Sequence, residues 1–189
     1  MNLHLILALS FISLALIGCS GDDHDHSASN TETADVQASV YETSAAFREQ
    51  LNDALLSYFE LKDALVESDA EQASVRARAF QESLNEVDHS NLSNEALTIW
   101  ETNRETMDEE TSRIAGLSDV EEQREAFDPL SMALIQSVEA FGPFENAVYQ
   151  QTCPMVGDGS ADWLSSSEEI MNPYHGDRML NCGGIVRTF

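Results

Sequence analysis

Residues 47–87 decide the expected fold, and they read FREQLNDALLSYFELKDALVESDAEQASVRARAFQESLNEV. Over 47–65, apolar side chains recur three and four residues apart, which is the spacing of one helix face. Residues 68–71, Ser-Asp-Ala-Glu, form a capping box that opens a second helix. The same spacing returns over 73–87. The stretch therefore predicts two helices packed as an antiparallel hairpin.

The helical spacing continues in two further segments, residues 97–117 and 120–141. Ser93 can cap the third helix, and a second capping box at residues 118–121 opens the fourth. Pro129 lacks an amide donor, so the fourth helix either kinks there or restarts with the proline in its first turn. Residues 36–148 show no alternating apolar run of useful length, so they predict an up-down four-helix bundle.

The expected fold class is therefore all-α, with an irregular C-terminal metal-loop segment, residues 149–189, packed on the bundle. Because the four apolar faces can bury one another, we expect the bundle to remain folded without the residues beyond about 144.

The N-terminus indicates export and anchoring. Residues 5–17 form an apolar run that is too short to span a bilayer but typical of a signal peptide. Leu-Ile-Gly-Cys at residues 16–19 matches a bacterial lipobox, in which the cysteine is acylated. We expect a signal peptide over 1–18, a lipid on Cys19 and a flexible acidic tether over 19–35. The predicted location is the bacterial envelope, on the outer membrane facing the periplasm or the surface; the alternative is a plain secretory signal.

The charge balance and the missing motifs exclude several functions. The formal net charge is −25, with 34 acidic and nine basic residues, so phosphate backbones should repel the protein and nucleic acid is not an expected partner. The sequence has no Gly-rich phosphate loop, no His-Glu-x-x-His, no Gly-x-Ser-x-Gly and no Cys-x-x-Cys. We therefore do not expect an enzyme.

Two thiols remain after Cys19, and each has a methionine nearby. Pro154 favours an extended backbone at Cys153, and residues two apart in an extended chain project to the same side, which would bring the Met155 thioether to the Cys153 thiol. Met179 and Cys182 can share one face of a helical turn. Soft thiolate and thioether ligands select Cu(I). These four sulfurs are the candidate metal ligands. Two weaker candidates lie on the same loop, Met171 and His175.

The same two cysteines support a different prediction. Cysteines of the bacterial envelope are commonly oxidised. A bond between Cys153 and Cys182 would close a loop of about 30 residues and stabilise the fold by roughly 3–4 kcal/mol. The residues alone leave a metal site and a disulfide open with nearly equal weight, and only the methionines favour the metal.

Beyond these patterns, the chain resembles an uncharacterised bacterial envelope family. The resemblance rests on Tyr-x-x-Leu-Lys-Asp-Ala-Leu-Val at 58–66, Gln-Arg-x-x-Phe-x-x-Leu-Ser at 123–131, and a tail pattern with Cys-Pro-Met at 153–155, Trp-Leu-Ser at 163–165 and Asn-Pro-Tyr-x-Gly-x-x-Met-Leu-x-Cys-Gly at 172–183. That family is a domain of unknown function found in lipoproteins and fused to periplasmic adaptors of heavy-metal efflux systems.

The resemblance implies a role in metal handling, with Cys153, Met155, Met179 and Cys182 as the expected ligands. His175 stands where the family usually has an aromatic residue. The expected function is that of a lipid-anchored envelope protein that binds a soft metal, above all Cu(I), for sequestration or transfer. Expected partners are the membrane, through the lipid, and a heavy-metal efflux adaptor or another envelope metal protein. The alternative is a disulfide-stapled protein-interaction module without metal.

Overall fold

The computed structural model describes residues 40–189, apart from Pro143 and Asp158. The predicted signal peptide, lipobox and tether lie outside these residues. No helix among them is long and apolar enough to cross a membrane. Within the described residues, four helices come first: α1 (Ala45–Val66), α2 (Ala70–Asn85), α3 (Asn94–Gly116) and α4 (Val120–Phe141). Three strands and one 3-10 turn follow: β1 (Tyr149–Val156), β2 (Gly159–Ser165), the turn Gly176–Arg178 and β3 (Gly184–Thr188).

Helices α2, α3 and α4 begin within one residue of the predicted starts, and α1 begins at Ala45, two residues before the first apolar position of the predicted pattern. Ser93 caps α3 by accepting the amide of Ala96. The caps of α2 and α4, however, are Asp69 and Asp119, each one residue after the predicted serine. Ser68 cannot serve as a normal cap because its φ is 58°, outside the extended region that a capping residue adopts. An aspartate carboxylate accepts free helix amides as well as a hydroxyl does.

Helix α4 runs without interruption through Pro129. Each helix packs on the next in the chain, and α1 and α2 also contact α4. The four predicted helices are thus confirmed.

The all-α fold class is wrong, because the C-terminal segment forms a three-stranded antiparallel sheet in the order β2-β1-β3. The buried positions of β1 are Gln151 and Cys153. A strand that buries a glutamine and a thiol shows no apolar alternation, so the usual strand signal is missing. Over residues 40–189 the fold is a mixed one of four helices and a small sheet, and the tail is not an irregular loop.

The sheet and the helices share one hydrophobic core. Helix α4 packs on β2, and Trp163 and Leu164 of β2 are fully buried in the cluster that also contains the helix side chains. The Tyr174 ring lies 5.8 Å from Phe127 of α4 and 6.1 Å from Trp163, measured between ring centroids. This shared core removes the physical basis for expecting a bundle that is independent of the tail.

Candidate thiol site at the C-terminal sheet

The structure brings the two predicted thiols together. The Sγ atoms of Cys153 and Cys182 lie 3.1 Å apart, although the residues are 29 positions apart in the chain. Both are free cysteines; Cys153 is fully buried and Cys182 is half-buried. One sulfur is therefore enclosed by the protein, and the other is within reach of solvent.

Strand pairing places the two cysteines side by side. Cys153 lies in β1, and Cys182 comes two residues before β3 begins. Strand β3 pairs with β1 at Thr152 opposite Gly184, directly next to Cys153 in β1. The backbone ladder therefore accounts for the short distance between the two sulfurs.

The contact between the thiols affects their chemistry. The hydrogen bond with Cys153 raises the pKa of the Cys182 thiol above its ordinary value, and partial burial adds to the rise. Because thiolates, not thiols, are the metal ligands and nucleophiles, Cys182 must release a proton before it binds a metal. The contact with Cys153 therefore disfavours the thiolate form of Cys182.

Met155 does not follow Cys153 into the interior. Its side chain is 58 % exposed, whereas that of Cys153 is 0 % exposed. The register of β1 against β2 shifts between Cys153 and Val156, so a β-bulge interrupts the strand at this point. A bulge breaks the two-residue alternation of side chains, and the argument that thiol and thioether share one side of an extended strand does not hold here. Met155 as a ligand stays a prediction.

The other candidate ligands lie on the loop between β2 and β3. Met179 follows the 3-10 turn, where its carbonyl accepts the amide of Cys182 at 2.9 Å, and its side chain is half-buried. His175 donates from Nε2 to the Met155 carbonyl at 2.9 Å and so joins the loop to the β1 bulge. Met171 is half-buried. All three stay predicted ligands.

Among residues 40–189, Pro143 and Asp158 apart, no group of three or more His, Cys, Asp and Glu side chains is placed to hold a metal ion. Among the described residues, a metal bound at the thiol pair would therefore have the two cysteines as its starting ligands.

Two residues that the sequence analysis did not single out hold this loop in place. The first is Asn172, whose side chain is fully buried and bonded to the backbone of Tyr174 and Cys182. An asparagine that bonds the amide two residues further on forms an Asx turn. The Asn-Pro-Tyr sequence is a recognisable signal for such a turn.

The second is Arg124 of α4, whose side chain is 5 % exposed. Its Nε donates to the Pro173 carbonyl at 2.7 Å, and one terminal nitrogen donates to the Leu65 carbonyl at 2.8 Å and to the Ser68 hydroxyl at 2.9 Å. Burial lowers the pKa of Arg124, and the nearby Glu121 carboxylate opposes that shift. Arg124 therefore ties the end of α1 to the loop. The sequence did offer a signal for this role, because Arg124 lies on the buried side of α4 in a chain that has few cations.

A polar network lies where α4 meets the sheet. Tyr58 and Ser131 share a hydrogen bond of 2.7 Å, and the amide of Leu164 donates to the Tyr58 hydroxyl at 3.3 Å. Tyr174 donates to the Asp162 carbonyl at 2.7 Å. Burial raises the pKa of both tyrosines. These hydroxyls stay protonated and join the helices to the strands, so the network is a structural junction.

The chain is similar over residues 54–146 to the family described as a protein of unknown function, DUF3347. This range runs from the middle of α1 to the segment after α4, and so the fold and the match define a helical domain of unknown function. The match ends before Cys153 and does not reach the thiol pair. No curated protein and no solved structure matches the chain.

Proposed function

We propose that this protein is a lipid-anchored envelope protein that binds a soft metal ion, above all Cu(I), through the thiol pair of Cys153 and Cys182. The observation that supports the proposal is the 3.1 Å separation of the two sulfurs. Binding would serve sequestration of the ion or its transfer to an envelope partner, such as a heavy-metal efflux adaptor.

The donor set fits a soft ion of low coordination number. Thiolates favour Cu(I) over hard cations. A structural zinc site takes four nitrogen or sulfur ligands, and the described residues offer no third His, Cys, Asp or Glu beside the pair. If a metal–thiolate bond is roughly 2.3 Å long, two sulfurs lie about 4.0 Å apart on a trigonal ion and about 4.6 Å apart on a linear one. The observed Sγ–Sγ spacing of 3.1 Å therefore needs to widen by roughly 1–1.5 Å, which rotation of the two cysteine side chains can supply.

Preorganisation also supports binding. The β1–β3 ladder already holds the cysteines next to each other, so an incoming ion does not have to order two separate chain segments. Ordering of mobile groups is a main cost of association, and a preformed site avoids most of it. The half-buried Cys182 offers the entry point, and Cys153 lies behind it.

The alternative function, a disulfide-stapled interaction module, is favoured by the burial of Cys153. An enclosed sulfur in contact with a second one is well placed for oxidation in an envelope compartment, where disulfides persist. In that case the bond would fasten the loop to β1, and the exposed surface of the sheet would serve a protein partner without metal.

Competition for Cu(I) distinguishes the two functions. Reduced protein is titrated against a chromophoric Cu(I) chelator under anaerobic conditions, beside the double variant Cys153→Ser, Cys182→Ser. The proposal expects about one copper per chain for the wild type and none retained by the variant. If the chelator holds copper equally well against both proteins, the metal function is wrong.

A thiol count on protein purified without reductant tests the alternative. Mass spectrometry after alkylation should find both thiols free or metal-bound under the proposed function. Two cysteines that resist alkylation until a reductant is added, in protein that still fails the copper competition, would instead support the stapled module.

The anchor is tested separately, because Cys19 lies outside the described residues. Wild type should incorporate labelled fatty acid and fractionate with membranes, and Cys19→Ala should do neither. A wild-type protein that never acquires the label contradicts the lipid anchor but leaves the thiol site untouched.

A further inference from the structure

We infer that Asn172 is the positioning residue that holds Cys182 against Cys153, an inference that rests on the proposed function of the thiol pair. The Asn172 side chain is fully buried. Its Nδ2 donates to the carbonyl of Cys182 at 2.9 Å, and its backbone amide donates to the Leu180 carbonyl at 2.8 Å. Asn172 therefore holds the backbone on which the Cys182 thiol is carried.

The other side of the same amide group fixes the start of the loop. Asn172 Oδ1 accepts the backbone amides of Tyr174 at 2.8 Å and His175 at 3.3 Å. One buried side chain thus links the two ends of the segment 172–182. The bond from Asn172 to the Cys182 carbonyl is partly buried, and its loss would leave that carbonyl without this donor, so the native position of Cys182 should depend on the bond.

Gly183 provides a second, independent constraint on the same cysteine. Its φ is +146°, a conformation that favours glycine. A Cβ at this position would lie 2.5 Å from the Thr152 carbonyl oxygen and 3.0 Å from the Trp163 ring. Only a glycine lets the chain pass this close to β1 beside Cys153. Cys182 is therefore held from the loop side by Asn172 and from the sheet side by Gly183.

Asn172 and Gly183 therefore set the distance between the two thiols through the backbone around Cys182 and not through its sulfur. A substitution of Asn172 should lower the effective concentration of one thiol towards the other while leaving both cysteines in the chain. The reporting reaction is reduced protein plus oxidised glutathione giving protein disulfide plus two reduced glutathiones. Its equilibrium constant is that effective concentration, and it requires no metal.

The matched pair is Asn172→Ala and Asn181→Ala. Asn181 lies on the same loop and also bonds a backbone carbonyl, that of Ile170 at 2.9 Å, but its side chain is exposed. We expect Asn172→Ala to lower the equilibrium constant about tenfold, consistent with loss of a buried hydrogen bond. Asn181→Ala should stay within about twofold of wild type. Copper retention should fall in the same order.

A second pair of variants tests the constraint at Gly183. Gly183→Ala should lower the equilibrium constant of the glutathione reaction, whereas Gly184→Ala should not, since a Cβ at Gly184 meets nothing within 4 Å. Thermal unfolding and near-ultraviolet circular dichroism establish whether each variant is folded. If Asn172→Ala does not fold, Asn172→Asp replaces it, because that variant keeps the Oδ1 acceptor and removes the donor to Cys182.

The outcomes separate this inference from the proposed function. A folded Asn172 variant with a wild-type equilibrium constant overturns the positioning role, whatever the copper result. A wild type that retains no copper, together with a tenfold fall for the Asn172 variant, overturns the metal function and supports the positioning role.

Discussion

The helical bundle and the C-terminal sheet differ in the interactions that hold their buried side chains. The bundle core consists mainly of apolar faces, with Phe47, Trp100 and Phe141 packed edge to face. The sheet region also relies on side-chain hydrogen bonds to the backbone, as where Gln151 Nε2 donates to the Ser167 and Glu169 carbonyls. The bundle should therefore tolerate changes that keep apolar volume. The sheet and its loop should be sensitive to the loss of single hydrogen bonds.

The largest expected effect breaks the contact between the two regions. A chain that ends at residue 144 loses Trp163, Leu164 and Tyr174 from the shared core. Burial of a large apolar side chain contributes about 1.5–3 kcal/mol, so the loss is on the order of 5 kcal/mol out of a typical total of about 5–15 kcal/mol. We expect thermal unfolding by circular dichroism to become broad, or to shift down by more than about 10 °C.

A matched pair of variants in the full chain tests whether this loss of stability comes from the buried side chains of the sheet. Trp163→Ala should cost about 3–5 kcal/mol. Val186→Ala, on the exposed part of β3, should change stability by less than about 0.5 kcal/mol. An unchanged melting curve for the shortened chain would show that the bundle is an independent unit, as the sequence alone suggested.

The next effect concerns the hydrogen bonds that join the regions. Arg124→Met keeps most of the buried volume but removes the donors to Pro173, Leu65 and Ser68. We expect a loss of about 2–4 kcal/mol, because these donors are charged and the acceptors are enclosed. Urea unfolding measures the difference.

Arg113→Met is the control for Arg124→Met, since Arg113 is exposed and its ion pairs should contribute little. Equal midpoints for the two variants would mean that the loop does not depend on its bond to α4.

The contrast between the regions also explains what the sequence could predict. Apolar positions such as Leu51, Leu55 and Tyr58 fall on one helix face, and that periodicity suffices to predict four helices. Strand β1 buries Gln151 and Cys153, and the bulge after Cys153 interrupts its alternation. Its two partners are β2, the next strand in the chain, and β3, which pairs with it only after the long loop that follows β2. The pairing with the distant β3 leaves no local pattern in the sequence.

The candidate site was predictable in composition but not in geometry. Cys153 and Cys182 could be paired by counting the thiols that remain after Cys19. The outward position of Met155 could not be predicted, because a one-residue bulge decides it. Nor could the role of Asn172, since its hydrogen bonds to the loop backbone depend on the folded path of residues 172–182.

A smaller effect is expected at the polar junction between α4 and β2. Burial raises the pKa of Asp128, and the Asp162 carboxylate adds to the rise. The folded state therefore binds more protons than the unfolded state between the ordinary pKa of 3.8 and the raised value, and stability falls as pH increases through that window. Above it, the Asp128 charge destabilises the fold.

Asp128→Asn should accordingly raise stability at pH 7, by less than about 1 kcal/mol, and the gain over wild type should vanish below about pH 4. Urea unfolding at a series of pH values measures this difference. Glu101→Gln, an exposed carboxylate on α3, controls for the change in net charge. A gain that persists unchanged at low pH would show that Asp128 does not titrate as its burial implies.

The smallest effect on stability is expected at the methionines, where it separates packing from ligand binding. Leu and Met have similar volumes, so Met155→Leu and Met179→Leu should change stability by less than about 1 kcal/mol. If their thioethers bind copper beside the thiols, each variant should lose copper to the chelator more readily than wild type. Met132→Leu is the control, because Met132 is a partly exposed methionine of α4. Should Met155→Leu and Met179→Leu retain copper as firmly as Met132→Leu, the two cysteines alone would form the site. The bulge that turns Met155 outward would then have removed it from the set of ligands, and the site would consist of Cys153 in β1 and Cys182 in the loop just before β3.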